Sequence, residues 1–136
     1  MQQSHDRQPL IFAHRGACRV APENTLPAFL AAMDLGADGV ELDVQYSSDG
    51  KLMVIHNPSL EATTNGTGRV TAHTFDELRA LDAGAHFAAE FAGTPIPTLD
   101  EVLELAAGRL LVNIELKALD AATSSIGADV VACVIA

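Results

Sequence analysis

Apolar positions recur along this chain with two different periods, and the switches between them mark out its elements. Pro9 to Ala13 is a short apolar run of the kind that forms a buried strand. Leu26, Phe29, Leu30 and Met33 then fall at i, i+3, i+4 and i+7, the spacing of one helix face. Asn24 or Thr25 is placed to cap that helix, Pro27 fits its first turn, and Gly36 is a natural C-terminal stop.

From Val40 to Tyr46 the period drops to two. Val40, Leu42 and Val44 take one face; Glu41, Asp43 and Gln45 take the other. Asp49-Gly50 is a two-residue hairpin signal, and Lys51 to Ile55 reads as the returning strand. If Asp49 and Gly50 alone form the loop, Ser48 pairs with Lys51. Counting back along both strands, Asp43 then pairs with His56, which puts an imidazole beside a carboxylate.

Residues 57 to 73 are rich in Asn, Thr and Gly and read as loop. Two capping boxes follow, Thr74 with Glu77 and Thr98 with Glu101, each opening a helix that Gly84 and Gly108 are expected to close. Leu110 to Leu116 alternates again: Leu110, Val112, Ile114 and Leu116 on one face, Asn113, Glu115 and Lys117 on the other. Residues 121 to 136 suggest a last helix. Strands alternating with helices predict an α/β architecture with a parallel sheet. Polar residues gathered at the C-terminal ends of the strands fit a (β/α) barrel, although a solvated face of an open sheet gives the same alternation.

Composition narrows the function classes. The chain has 136 residues, about half of them apolar, enough for one domain with a real core. Eighteen acidic against 8 basic residues leave a formal charge of −10, which argues against nucleic acid or anionic membranes as partners. A phosphate-bearing small molecule stays open, since local charges and metals bind it. Cys18 and Cys133 have no metal-like or CxxC spacing and are expected to be reduced thiols. With no secretion-type leader and no long apolar run, the expected location is the cytoplasm, without stable membrane insertion.

The chemistry-bearing residues cluster by strand parity. Glu41, Asp43 and Glu115 are three carboxylates on like-facing positions, an oxygen-only set suited to a hard divalent cation such as Mg²⁺ or Ca²⁺. Surface acids on a solvated face would look the same. His14 and His56 end separate strands and suit acid–base work near neutral pH; a strand-end histidine is also often only packed or solvated. Arg15 and Lys117 are the anion binders, or the partners of neighbouring carboxylates. His5, His73 and His86 lack charged partners at useful spacing, and "TTNGTG" reads as a turn rather than a phosphate loop.

The stretches "HRGACRVAPENTLPAF" (14–29), "GADGVELDVQYSSDGKLMVIHNPSL" (36–60), "TTNGTGRV" (63–70), "IPTLDEVL" (96–103) and "NIELK" (113–117) resemble the glycerophosphodiester phosphodiesterase family. The resemblance implies a (β/α) TIM-type barrel with a small insertion between its second and third barrel strands, here residues 57 to about 97. It implies hydrolysis of glycerophosphodiesters to glycerol 3-phosphate and an alcohol. It makes His14 and His56 the acid–base pair, Glu41, Asp43 and Glu115 the metal ligands, and Arg15 and Lys117 the phosphate clamp. The chain departs from the family at Asn57, usually Asp, and at Ala62, usually Arg.

A closed eight-stranded barrel takes about 200–250 residues. The expectation is therefore an amino-terminal, incomplete barrel whose activity alone is slow. Rival readings are a related phospholipase-type lipid phosphodiesterase and an inactive fragment serving as a binding or assembly module.

Overall fold

The computed structural model describes residues 8–118 and 125–136. Its order is β1 (Phe12–His14), α1 (Leu26–Asp34), β2 (Gly39–Tyr46), β3 (Leu52–Val54), α2 (Phe75–Arg79), α3 (Leu99–Ala106), β4 (Leu111–Leu116) and α4 (Ile126–Ile135), with short 3₁₀ turns at Val70–Ala72 and Ala89–Phe91. The expected terminal helix is described only as α4; positions 121 to 124 of that expectation lie outside the described residues.

β2 is the centre of the sheet. β1 and β4 flank it in parallel, and β3 pairs with its far end antiparallel. Parallel neighbours on both sides leave all eight residues of β2 buried. Their parity divides the molecule. Val40, Leu42, Val44 and Tyr46 join Phe29 and Ala32 of α1, Leu99 and Val102 of α3, and Ile126 and Val130 of α4 in the main core. Glu41, Asp43 and Gln45 take the other face, the interior side of a barrel. A second apolar cluster joins Met53 and Ile55 to Leu60, Val70, Leu78, Ala83 and Ile96, so residues beyond β3 have a core of their own.

Local signals explain most element ends. Thr25, not Asn24, caps α1, accepting from the Ala28 N–H. Both capping boxes form, at Thr74 with Glu77 and at Thr98 with Glu101. α2 ends at Arg79, so Gly84 does not close it. β1 is not the buried strand expected: Leu10, Ile11 and Phe12 are exposed, because among the described residues β1 pairs with β2 alone.

The hairpin register also differs. Val44 pairs with Val54, Gln45 with Met53 and Tyr46 with Leu52, one residue off the expected register. The reason lies in the turn. A two-residue type I′ turn needs positive φ at both central residues, whereas only Gly50 has it, at 81°. The loop is instead Ser48-Asp49-Gly50, closed by the Ser47 N–H on the Lys51 carbonyl at 2.9 Å. The Ser47 hydroxyl binds both the Asp49 carboxylate and the Lys51 N–H. Asp43 therefore faces Ile55, whose N–H donates to the Asp43 carbonyl at 3.0 Å, and His56 is not its cross-strand partner.

Candidate metal and phosphodiester site

The site grows outward from β2. His14 of β1 and Asn113 of β4 both align with Glu41, and Glu115 of β4 aligns with Asp43, so the three parallel strands present one polar face. One oxygen each from Glu41, Asp43 and Glu115 lies within 4.8 Å of the others. Asp43 is fully buried and Glu41 nearly so, while the Glu115 side chain is 55 % exposed.

Two cations meet these carboxylates. Arg15 places Nε 3.6 Å from Asp43 Oδ2 and donates from Nη1 to Glu23 at 3.1 Å; its backbone N–H donates to Glu41 Oε2, also at 3.1 Å. Lys117 Nζ lies 3.2 Å from Asp43 Oδ1 and makes a close ion pair with Glu115. Burial acts to lower the Lys117 pKa, but Glu115 and Asp43 outweigh it and hold the amine above its ordinary value. The ammonium stays charged.

The His-Arg-Gly turn is built for close approach. Arg15 adopts φ 56°, a left-handed conformation that costs a non-glycine residue about 1 kcal/mol or more. Gly16 follows at φ 77°, and a β-carbon there would lie 2.8 Å from the backbone of Ala28 in α1. The Ala17 N–H then bonds the Ala28 carbonyl at 2.9 Å, which seats the turn on the helix.

Asn24 supplies a contact that sequence reasoning missed. It too has positive φ, 55°, and its backbone N–H donates to the Arg15 carbonyl at 3.0 Å. Its side-chain amide donates to Asp43 Oδ2 at 2.9 Å and accepts from the Asp43 N–H at 3.3 Å. The sequence offered Asn24 only as a helix cap. The Pro-Glu-Asn-Thr run thus holds the site through Glu23 and Asn24 and caps α1 with Thr25.

His14 is 65 % exposed at the strand end, with Nε2 3.8 Å from Glu41 Oε2. His56 lies in the bend after β3 and lines a small cleft with Glu23, Asn24 and Thr25. The described contacts gather His14, Arg15, Glu41, Asp43, Glu115 and Lys117 around the strand ends, while His56 borders them through the cleft it shares with Glu23 and Asn24. Its Nδ1 is 2.6 Å from Asn57 Oδ1.

The residues present fit a hard cation. Asp43 Oδ1 is buried without a well-directed hydrogen bond although Lys117 is near, and such an oxygen is a ready ligand. Separations within 4.8 Å suit oxygens that share an ion at ~2.0–2.6 Å. Glu23, Glu41, Asp43 and Glu115 against Arg15 and Lys117 leave a formal excess of two negative charges, which a divalent ion would neutralise.

A parallel sheet backed by helices, with a carboxylate cluster and two cations at the C-terminal strand ends, is an arrangement of the (β/α)-barrel class. The family model described as "Glycerophosphoryl diester phosphodiesterase family" matches residues 14–132, and the chain belongs to this family. A glycerophosphodiester phosphodiesterase of Caldanaerobacter subterraneus is 54% identical over 109 residues, covering 79% of this chain and 45% of that protein. Human glycerophosphodiester phosphodiesterase 1 is 43% identical over 93 residues, covering 67% of this chain and 28% of that one.

Among solved structures, a glycerophosphodiester phosphodiesterase from Agrobacterium tumefaciens superposes with a TM-score of 0.85 at 47% identity, over 94% of this chain and 53% of that chain. An Oleispira antarctica phosphodiesterase, solved with the product sn-glycerol-3-phosphate, matches with a TM-score of 0.78 at 39% identity, over 80% and 44%. The chain spans about half the length of these bacterial relatives. No helix among the described residues is long and apolar enough to cross a membrane.

Proposed function

We propose that this chain carries the metal-binding and proton-transfer part of a glycerophosphodiester phosphodiesterase, acting on glycerophosphodiesters to release glycerol 3-phosphate and an alcohol. The observation that carries the reading is the convergence of Glu41, Asp43 and Glu115 beside two cations on one strand-end face. The product seen in the Oleispira relative is a phosphate monoester, the chemistry that Arg15 and Lys117 suit.

In this reading Glu41, Asp43 and Glu115 hold Mg²⁺ or Ca²⁺, which when bound neutralises charge on the phosphoryl oxygens. The Arg15 guanidinium exchanges part of its carboxylate pairing for the phosphate, and Lys117 adds a second positive charge. One histidine of the His14–His56 pair takes the proton of the attacking hydroxyl, from water or the substrate's glycerol. The other returns a proton to the departing alcohol oxygen. When the glycerol hydroxyl attacks, the displacement gives a cyclic phosphate, which a water then opens to glycerol 3-phosphate with the two histidines in exchanged roles. Residues 57 to about 97, with their own core, act as the insertion that covers the glycerol side. The working location is the cytoplasm.

The test is hydrolysis of glycerophosphocholine by the purified chain with Mg²⁺, with Ca²⁺ and with a chelator, against His14→Ala as background. Metal-dependent turnover that the variant loses supports the reading. Metal binding without turnover points instead to the assembly module, a reading that the exposed Leu111, Leu116 and Ile135 favour.

A further inference from the structure

Gln45 lies two positions beyond Asp43 on the same face of β2. Its side chain is 1 % exposed, and it points its amide at the backbone of the bend that carries His56. Nε2 lies 2.9 Å from the Ile55 carbonyl, 3.0 Å from that of His56 and 2.8 Å from that of Asn57. Three successive carbonyl oxygens converging on one atom settle which end of the amide is nitrogen, because the flipped amide would press oxygen against three oxygens. The other end, Oε1, is buried without a partner, so the amide keeps this orientation at the expense of its own acceptor.

This segment needs such an anchor. The β2–β3 ladder stops at Val54, with one further bond from the Ile55 N–H to Asp43. Past that point the chain bends, and strand pairing no longer fixes His56. Its Nδ1 lies 2.6 Å from Asn57 Oδ1, an oxygen that can only accept, so this contact is satisfied by the Nδ1–H tautomer. The ring bond and the three carbonyl contacts, which share the two N–H donors of Nε2, belong to one unit, since Asn57 is itself gripped through its backbone.

We propose that Gln45 is a positioning residue that fixes His56 for proton transfer, acting through the carbonyls of residues 55–57 without touching substrate. The inference rests on the reading of His56 as a proton-transfer residue. It accounts for a long polar side chain buried two positions from the carboxylate cluster, where an apolar residue would fill the space.

The experiment compares the chain with Gln45→Met, which removes the donor at similar volume, and with Gln45→Glu, which keeps the shape. Imidazole ¹⁵N spectra at about pH 8, where a free ring is neutral, report the tautomer of each histidine and need no turnover. The expected result is a single Nδ1–H form of His56 in the wild type and mixed tautomers in both variants, with His14 unchanged. In glycerophosphocholine turnover, kcat falls about tenfold to a hundredfold while KM changes less than about twofold. Adding Gln45→Met to His56→Ala brings no further loss.

An unchanged His56 tautomer, or a loss that multiplies in the His56→Ala background, overturns the proposal. So does loss of cooperative melting in both variants, which would make Gln45 a strut of the fold. Should His56→Ala leave turnover intact while the tautomer still depends on Gln45, the reading of His56 fails and the anchor stands.

Discussion

Glu115→Gln separates metal binding from folding, because Glu115 is the exposed member of the carboxylate set. Its side chain is 55 % exposed and its charged partner is Lys117, so removing the charge should change metal-free stability by no more than about 1 kcal/mol. The metal should notice far more. An excess of two negative charges at the site falls to one, and a charged ligand oxygen becomes a weaker, neutral amide oxygen. Attraction between a divalent ion and a carboxylate oxygen is about 3 kcal/mol even at the dielectric of water. After the lost hydration is returned, about 1–3 kcal/mol remains, or roughly tenfold to a hundredfold in affinity.

Linkage turns this into a melting experiment. At a metal concentration of about 100 times the dissociation constant, binding stabilises the wild type by about 2.7 kcal/mol. At the same concentration the variant gains only about 0.4–1.4 kcal/mol. At roughly 3–5 °C per kcal/mol for a chain of this size, the metal-induced rise in Tm drops from about 10 °C to a few degrees. Calorimetric melts with Mg²⁺, with Ca²⁺ and with chelator measure it, and Glu104→Gln on the exposed side of α3 controls for general charge effects. A Glu115→Gln variant that keeps the full shift, or a wild type that responds no better than a chain without the site, refutes the carboxylate set as the metal's seat.

Asn24→Gly keeps the positive φ but removes both amide contacts to Asp43; it should cost about 1–3 kcal/mol in denaturant melts and weaken metal binding in titration calorimetry. Gly16→Ala forces a β-carbon to 2.8 Å from the Ala28 backbone at φ 77°, and about 2–4 kcal/mol of stability should be lost in the same melts. Asp82 accepts from the N–H groups of Gly93, Ala85 and Gly84, which hold its pKa below the ordinary 3.8. A folded-state pKa below the unfolded one contributes stability above about pH 3.8 and loses it as pH falls through the folded value. The protection factors of the Gly84, Ala85 and Gly93 amides, measured by hydrogen exchange, should therefore be flat near neutrality and fall only in acid; Asp82→Asn should remove that acid dependence.

Much of the site was legible because strand parity needs nothing but alternation. Glu41 and Asp43 on β2, and Glu115 and Lys117 at the end of β4, share a face for the reason that their apolar neighbours share the other. The capping boxes at Thr74 and Thr98 were legible for a similar reason, since each is closed within four residues. What failed depended on backbone conformation. Asp49-Gly50 carries the signal of a two-residue turn, but Ser47 binds Asp49 and Lys51 and makes a three-residue loop cheaper, which moves the register by one. Positive φ at Arg15 and Asn24 lies beyond pattern reading altogether, because neither residue is a glycine.

The register difference carries a structural lesson about His56. In the two-residue hairpin, pairing alone would have set an imidazole beside Asp43, and the ladder would have held it. In the observed register Ile55 takes that place and belongs to the second apolar cluster, which ties the hairpin to residues 60–96. His56 is thereby released from the sheet into a bend, where alternation no longer decides its direction. A histidine in a bend is free to meet a substrate from the side, but it needs another source of rigidity. The structure offers two amides for that purpose, Gln45 beneath the backbone and Asn57 beside the ring. Asn57 stands where the family usually has Asp. It keeps the acceptor that orients the ring and carries no charge. In this chain, orientation of His56 thus rests on neutral hydrogen bonds, while the charged groups are gathered on Asp43.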